Sequence, residues 1–79
     1  MSETPAKTLD TKNLNCPLPI LKAKKALQDL PKGAILEVLA TDPGAVPDFQ
    51  AFCKSTKNTL VEHSENQGVF RVLIRHTAP

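Results

Sequence analysis

Seventy-nine residues, 41% of them hydrophobic, with a formal net charge of +2, suit one thin-cored domain, because a chain this short buries only about 60% of its unfolded surface. The mild basic excess does not require nucleic acid, and with no Trp or Tyr and only three Phe there are few platforms for base stacking. No apolar run approaches a membrane span and no leader-type apolar segment follows Met1, so the expected compartment is the cytoplasm, where two cysteines are reduced, catalytic or buried rather than joined in a structural disulfide.

Residues 1–7 hold little to bury and read as a flexible N-terminal tail. Thr8-Leu9-Asp10 reads as a short strand, and Thr11 to Asn15 as the loop that follows. Pro17 suits the first position of a helix, where its missing N–H would be unpaired anyway and its φ is already helical. Cys16 is then the N-cap and Pro19 the third helical residue, still among the N–H groups that a helix leaves unpaired. An N-cap side chain accepts from the second or third helical N–H. With Pro19 in third place, the Leu18 N–H is the local donor left for the Cys16 sulfur. The partial positive charge of a helix start lowers the pKa of a thiol held there. Two readings of Cys16 stand side by side: a readily ionised thiol, or a small hydrophobe tucked before the helix.

From Pro17 to Leu30, the residues Ile20, Ala23, Leu27 and Leu30 recur at helical spacing, with Lys22, Lys25 and Asp29 opposite them. The lysines read as a solvated face or as a charge that steers an acidic partner toward Cys16. Pro31-Lys32-Gly33 supplies turn chemistry. Ala34 to Thr41 is a nearly continuous apolar run suited to a central strand, with Glu37 on the less covered face and Leu36, Val38 and Ala40 under the helices. Asp42-Pro43-Gly44 is a turn. Because Pro47 would break a helix already running from Pro43, the turn is extended to Val46 and a second helix is placed over residues 47–57. Phe49, Phe52, Cys53 and Thr56 share its apolar stripe. Cys53 reads as a core cysteine, with a redox partnership to Cys16 as the alternative. Thr59 to Ser64 and Val69 to His76 read as strands joined by a loop at Glu65 to Gly68. Phe70, Val72 and Ile74 point inward, and Arg71, Leu73 and Arg75 outward. Residues 77–79 form a short C-terminal tail, leaving a single domain over residues 8–76.

The order β-α-β-α-β-β predicts an α/β (α+β) two-layer sandwich: a mixed four-stranded sheet with two helices on one face. A right-handed crossover makes the first two strands parallel. The loops at their carboxyl ends, carrying Cys16 and Asp42-Pro43-Gly44, then become neighbours where partners meet such a sheet. Cys16, Cys53, His63 and His76 lack paired zinc-type spacing, and no glycine-rich phosphate loop is present. His63 reads as a strand surface residue and His76 as a frayed end. One activated thiol without a visible general base suits group transfer between proteins better than turnover of a small molecule.

The chain resembles the TusA/SirA-like family of sulfur carriers. The resemblance lies in Leu9-Asp10, Leu14-Asn15-Cys16-Pro17-Leu18-Pro19, Ala40-Thr41-Asp42-Pro43-Gly44, Asp48 to Cys53 and the final Phe70 to Arg75 strand. It implies the same sandwich. It also implies a sulfurtransferase-type carrier, rather than an independent multiple-turnover enzyme, in which Cys16 takes up sulfane sulfur as a persulfide, Pro17, Leu18 and Pro19 support it, and Lys22, Lys25 and Asp42 meet partners. No cofactor beyond that covalent sulfur is implied. The implied donors are a rhodanese or a cysteine desulfurase, and the implied acceptors a DsrE-type protein of sulfur oxidation or the machinery of transfer RNA 2-thiouridine synthesis. The carrier is expected as a monomer without direct nucleic-acid or membrane binding. Many members have Gly and Arg where this chain has Asn13 and Asn15, and some have an acidic residue where it has Leu18. The competing readings are a Cys16/Cys53 thiol–disulfide switch and a small RNA-binding module using Lys22, Lys25, Arg71 and Arg75.

Overall fold

The computed structural model describes residues 5–14 and 18–78, in which the first strand, β1, spans Lys7–Thr11. Lys7, read from the sequence as tail, is therefore the first residue of the strand, and pairing begins still earlier, with the Ala6 N–H donating to the Ile35 carbonyl at 2.7 Å. The helix α1 spans Leu18–Gln28, shorter at its C-terminal end than the periodicity suggests. Its end tightens into i→i+3 bonds from Asp29 to Ala26 and from Leu30 to Leu27, the usual fraying of a last turn. Pro17 as first helical residue and Cys16 as N-cap lie outside the described residues, as does Asn15. Ala23, Ala26 and Leu27 are buried and Ile20 and Leu30 pack against them, whereas Lys22, Lys25 and Asp29 are exposed. Gly33, at φ +89°, turns the chain toward β2.

Strand β2, Ile35–Ala40, pairs in parallel with β1 from Lys7↔Leu36 to Thr11↔Ala40. Leu36, Val38 and Ala40 are fully buried beneath the helical layer, as their alternation with Glu37 requires. The second helix, α2, begins at Ala45 and runs to Thr56, so the separate turn assigned to residues 43–46 is corrected. Pro47 is the third residue of this helix and breaks nothing, because first-turn N–H groups have no intrahelical acceptor. The Asp48 N–H already closes on the Gly44 carbonyl at 3.0 Å. Phe49, Phe52 and Cys53 enter the core as their stripe predicts, and the two phenylalanine rings meet edge-on at 6.3 Å.

Strands β3 (Thr59–Asn66) and β4 (Val69–Arg75) form an antiparallel hairpin. Its connection is only Gln67-Gly68, not residues 65–68. Both residues have positive φ, 52° and 81°, the signature of a type I′ turn that matches strand twist. The sheet order is β1-β2-β4-β3, with β2 and β4 antiparallel and both helices on one face. On the other face Thr8 donates to Glu37 at 2.8 Å, Glu37 pairs with Arg71, and Arg71 reaches Glu62 at 3.7 Å, linking all four strands. Leu73 lies on this outer face opposite Glu37 but is only 1% exposed. Its same-face neighbours at i±2 are Arg71 and Arg75, whose long aliphatic stems suit such cover.

His76 is not a frayed end. It is half-buried, its N–H donates to the Ala34 carbonyl at 2.9 Å, and its Nδ1 lies 2.8 Å from the Leu30 carbonyl. Thr77 and Ala78 are no loose tail either, since both donate their N–H to the Asn58 Oδ1 at 3.1 Å. His63 is exposed on β3, as expected.

Candidate functional site at the carboxyl ends of the parallel strands

The parallel pairing of β1 and β2 brings their following loops to one end of the sheet, and hydrogen bonds tie the loops together. Buried Thr11 donates its hydroxyl to the Leu39 carbonyl at 2.6 Å. The Asn13 N–H then donates to the Thr41 Oγ1 at 2.9 Å, across the two loops. The Leu14 N–H closes a turn on the Thr11 carbonyl at 3.2 Å. Within that turn Asn13 has φ 68°, a left-handed conformation that Asn tolerates better than most non-glycine residues. The loop between β1 and α1 is thus anchored on its β1 side, and Cys16 follows Leu14 by two residues in sequence.

The second loop is an Asx-type turn. Asp42 accepts the Gly44 N–H on its Oδ1 at 2.9 Å, and its carbonyl accepts the Ala45 N–H at 2.9 Å. Asp42, expected to meet partners, is half-buried and turns the chain into α2.

At the start of α1, Pro19 is buried while Leu18 and Leu21 are 45% and 56% exposed, the large exposed hydrophobics of the described residues. From the sequence Leu18 is a supporting residue and a departure from the acidic residue of some family members, and Leu21 is not singled out. The signal was nonetheless present, because Leu21 falls off the Ile20–Ala23–Leu27 stripe and so cannot reach the core. The expected contact from the Leu18 N–H to the Cys16 sulfur lies outside the described residues. Lys22 and Lys25 follow Leu18 and Leu21 on the same exposed face of α1, at the i, i+3, i+4, i+7 spacing, and they line a shallow groove with Lys7 and Leu9 of β1. The exposed face at the beginning of α1 is therefore both apolar and basic.

Cys53 is buried among the core residues of α2, and burial pushes its thiol up to about 11 from 9.0. A thiol held so strongly protonated is a poor nucleophile at neutral pH, which suits its reading as core. His63 and His76 belong to β3 and to the opposite end of the sheet, and among the described residues no three His, Cys, Asp or Glu side chains gather as a metal site. Among the same residues no helix is long and apolar enough to cross a membrane.

Comparison with known proteins agrees with this layout. The family model described as "Sulfurtransferase TusA" matches residues 7–76. The sulfur carrier protein TusA of Allochromatium vinosum is 55% identical over 67 residues, which cover 85% of this chain and 88% of that protein. The Neisseria meningitidis serogroup A protein NMA0882, assigned provisionally as a sulfur carrier, is 52% identical over 71 residues, covering 90% of this chain and 96% of its own. The crystal structure of a SirA-like protein from Desulfitobacterium hafniense superposes with a TM-score of 0.78 at 28% identity, covering 87% of this chain and 95% of that one. With a strand–helix–strand core and a family match spanning nearly every described residue, this chain belongs to the TusA sulfurtransferase family.

Proposed function

We propose that this chain is a sulfur carrier that holds sulfane sulfur as a persulfide on Cys16 and passes it between proteins. The observation that supports the reading is the anchoring of the segment that precedes Cys16 in sequence. Residues 11–14 leave β1 at the carboxyl end of the parallel pair, the Asn13 N–H donates to Thr41, and the helix that begins at Leu18 exposes Leu18 and Leu21 as a docking surface. In the loading step the Cys16 thiolate attacks the outer sulfur of a donor persulfide R–S–SH. A new S–S bond forms on Cys16, the donor's S–S bond breaks, and its sulfur leaves as a thiolate while the proton stays on the transferred atom. Delivery is the same exchange run toward an acceptor thiolate, so no external oxidant or reductant is consumed.

A rhodanese or a cysteine desulfurase fits the donor role. A DsrE-type protein of sulfur oxidation or the transfer RNA 2-thiouridine machinery fits the acceptor role, and the carrier works as a cytoplasmic monomer. The burial of Cys53 and its raised thiol pKa speak against the dithiol alternative. Mass spectrometry after incubation with a persulfide donor tests the proposal. One added sulfur atom is expected on Cys16 in the natural chain and in Cys53→Ala, and none in Cys16→Ser. Equal loading of Cys16→Ser, or no loading of Cys16, refutes it.

A further inference from the structure

Strand β1 is the outer strand of the sheet, and among the described residues no strand flanks it on the side away from β2. The Ala6 N–H donates to the Ile35 carbonyl, so strand alternation turns the main-chain groups of Lys7 and Leu9 to the open side. Beside that open edge lies a groove of about 190 Å³ lined by Lys7, Leu9, Lys22, Lys25, Ala26 and Asp29. It therefore presents three ammonium groups against one carboxylate. Asp10, the carboxylate of β1 itself, already accepts the Lys12 N–H and lies 4.0 Å from the Lys12 ammonium.

The other edge is built differently. Strand β3 carries a register shift between Leu60 and Glu62 and exposes Glu62 and Glu65. A bulge of this kind interrupts an edge, and its negative charge repels an acidic strand. The β1 register runs unbroken from Lys7 to Thr11.

We infer that the β1 edge and its lysine-lined groove dock an extended acidic peptide segment of a partner protein, which adds to the sheet beside Lys7 and Leu9. Main-chain pairing along the edge supplies affinity and the Lys7, Lys22 and Lys25 ammonium groups select for acidic side chains. A peptide fits better than a nucleic acid, because the edge offers main-chain donors and acceptors in strand register while Phe49 and Phe52 are buried away from any base. The inference rests on the carrier reading only in expecting a protein partner.

The probe is a synthetic peptide alternating Glu and Thr, titrated by NMR into the full chain carrying Cys16→Ser, which cannot be loaded. The expected result is saturable shifts of the Lys7 and Leu9 amides, slowed exchange of those amides, and affinity that falls with added salt. Lys22→Glu/Lys25→Glu is expected to weaken binding about tenfold or more. Lys7→Pro, which removes one outward N–H from an edge that tolerates it, is expected to weaken binding beyond Lys7→Ala. No binding, binding unchanged by these substitutions, shifts centred on β3, or preference for a Lys–Thr peptide or for oligouridylate overturns the inference. Sulfur loading of Cys16 is a separate measurement, so the failure of either leaves the other standing.

Discussion

Replacing both Leu18 and Leu21 by Ser separates docking from chemistry. Burying a whole leucine side chain is worth roughly 1.5–3 kcal/mol. Leu18 and Leu21 are 45% and 56% exposed, so about half of that, roughly 1 kcal/mol each, remains to be gained when a partner covers them. Losing both costs about 2 kcal/mol of docking energy, on the order of thirtyfold in affinity. The same exposure means that the folded chain loses little, and the urea midpoint is expected to stay close to that of the natural chain. The assay compares two donors. Loading from glutathione persulfide, too small to use the leucine surface, is expected to be unchanged. Loading from a persulfidated rhodanese or cysteine desulfurase is expected to fall about thirtyfold in kcat/KM. Equal losses with both donors would show that the leucines act on the thiol or on the fold. No loss with any protein donor would show that docking lies elsewhere.

Three further outcomes follow from the packing. Cys53→Ala is expected to load sulfur normally while losing about 1 kcal/mol in urea unfolding, and in the native chain at neutral pH iodoacetamide is expected to spare Cys53, whose thiol is pushed up to about 11. The Glu37 carboxyl is held below its ordinary value of 4.5 by the Arg71 hydrogen bond first and the Thr8 hydroxyl second. Its stabilising contribution is therefore complete above 4.5 and drains as pH falls through the lower folded value, and Glu37→Gln should flatten urea stability across that acid window. Lys57 ends α2 at φ 65°, so Lys57→Gly should raise the urea-unfolding free energy by up to about 1 kcal/mol, whereas Lys57→Ala should not.

Element type and layer order were legible because the periodicities are clean. Glu37 breaks an otherwise apolar strand on the face turned away from the helices, and the Ile20–Ala23–Leu27 stripe marks the buried side of α1. The misplacements share a physical cause. Pro47 reads as a helix breaker only if the helix has already completed a turn, and where a helix starts depends on the Asp42 hydrogen bond that turns the chain, which the sequence pattern does not display. His76 and Thr77 read as chain end because what pins them, the Leu30 carbonyl and Asn58, lies far away in sequence. The hairpin turn could have been shortened from the Gln67-Gly68 pair, but Gln at positive φ is uncommon and gives a weak signal. At the site, the motif pointed to Cys16, whereas the exposed Leu21 surface required knowing which residues the core had already claimed.

The two ends of the sheet are tied differently. At one end His76, Asn58 and Gly33 tie the last strand to the turns that follow both helices. These side-chain and main-chain bonds add to the thin core in holding the helices on the sheet. At the other end the ties are few and specific. Thr11 on Leu39 and Asn13 on Thr41 secure the base of the first loop, and Asp42 shapes the second. Affinity for a partner can then be supplied by side chains that the fold does not need, the leucines and lysines that share the exposed face of α1. Those residues contribute little to stability, so they can be replaced without disturbing the ties at Thr11, Asn13 and Asp42. Under the proposed carrier function, partner choice and sulfur chemistry are then separable properties of one scaffold.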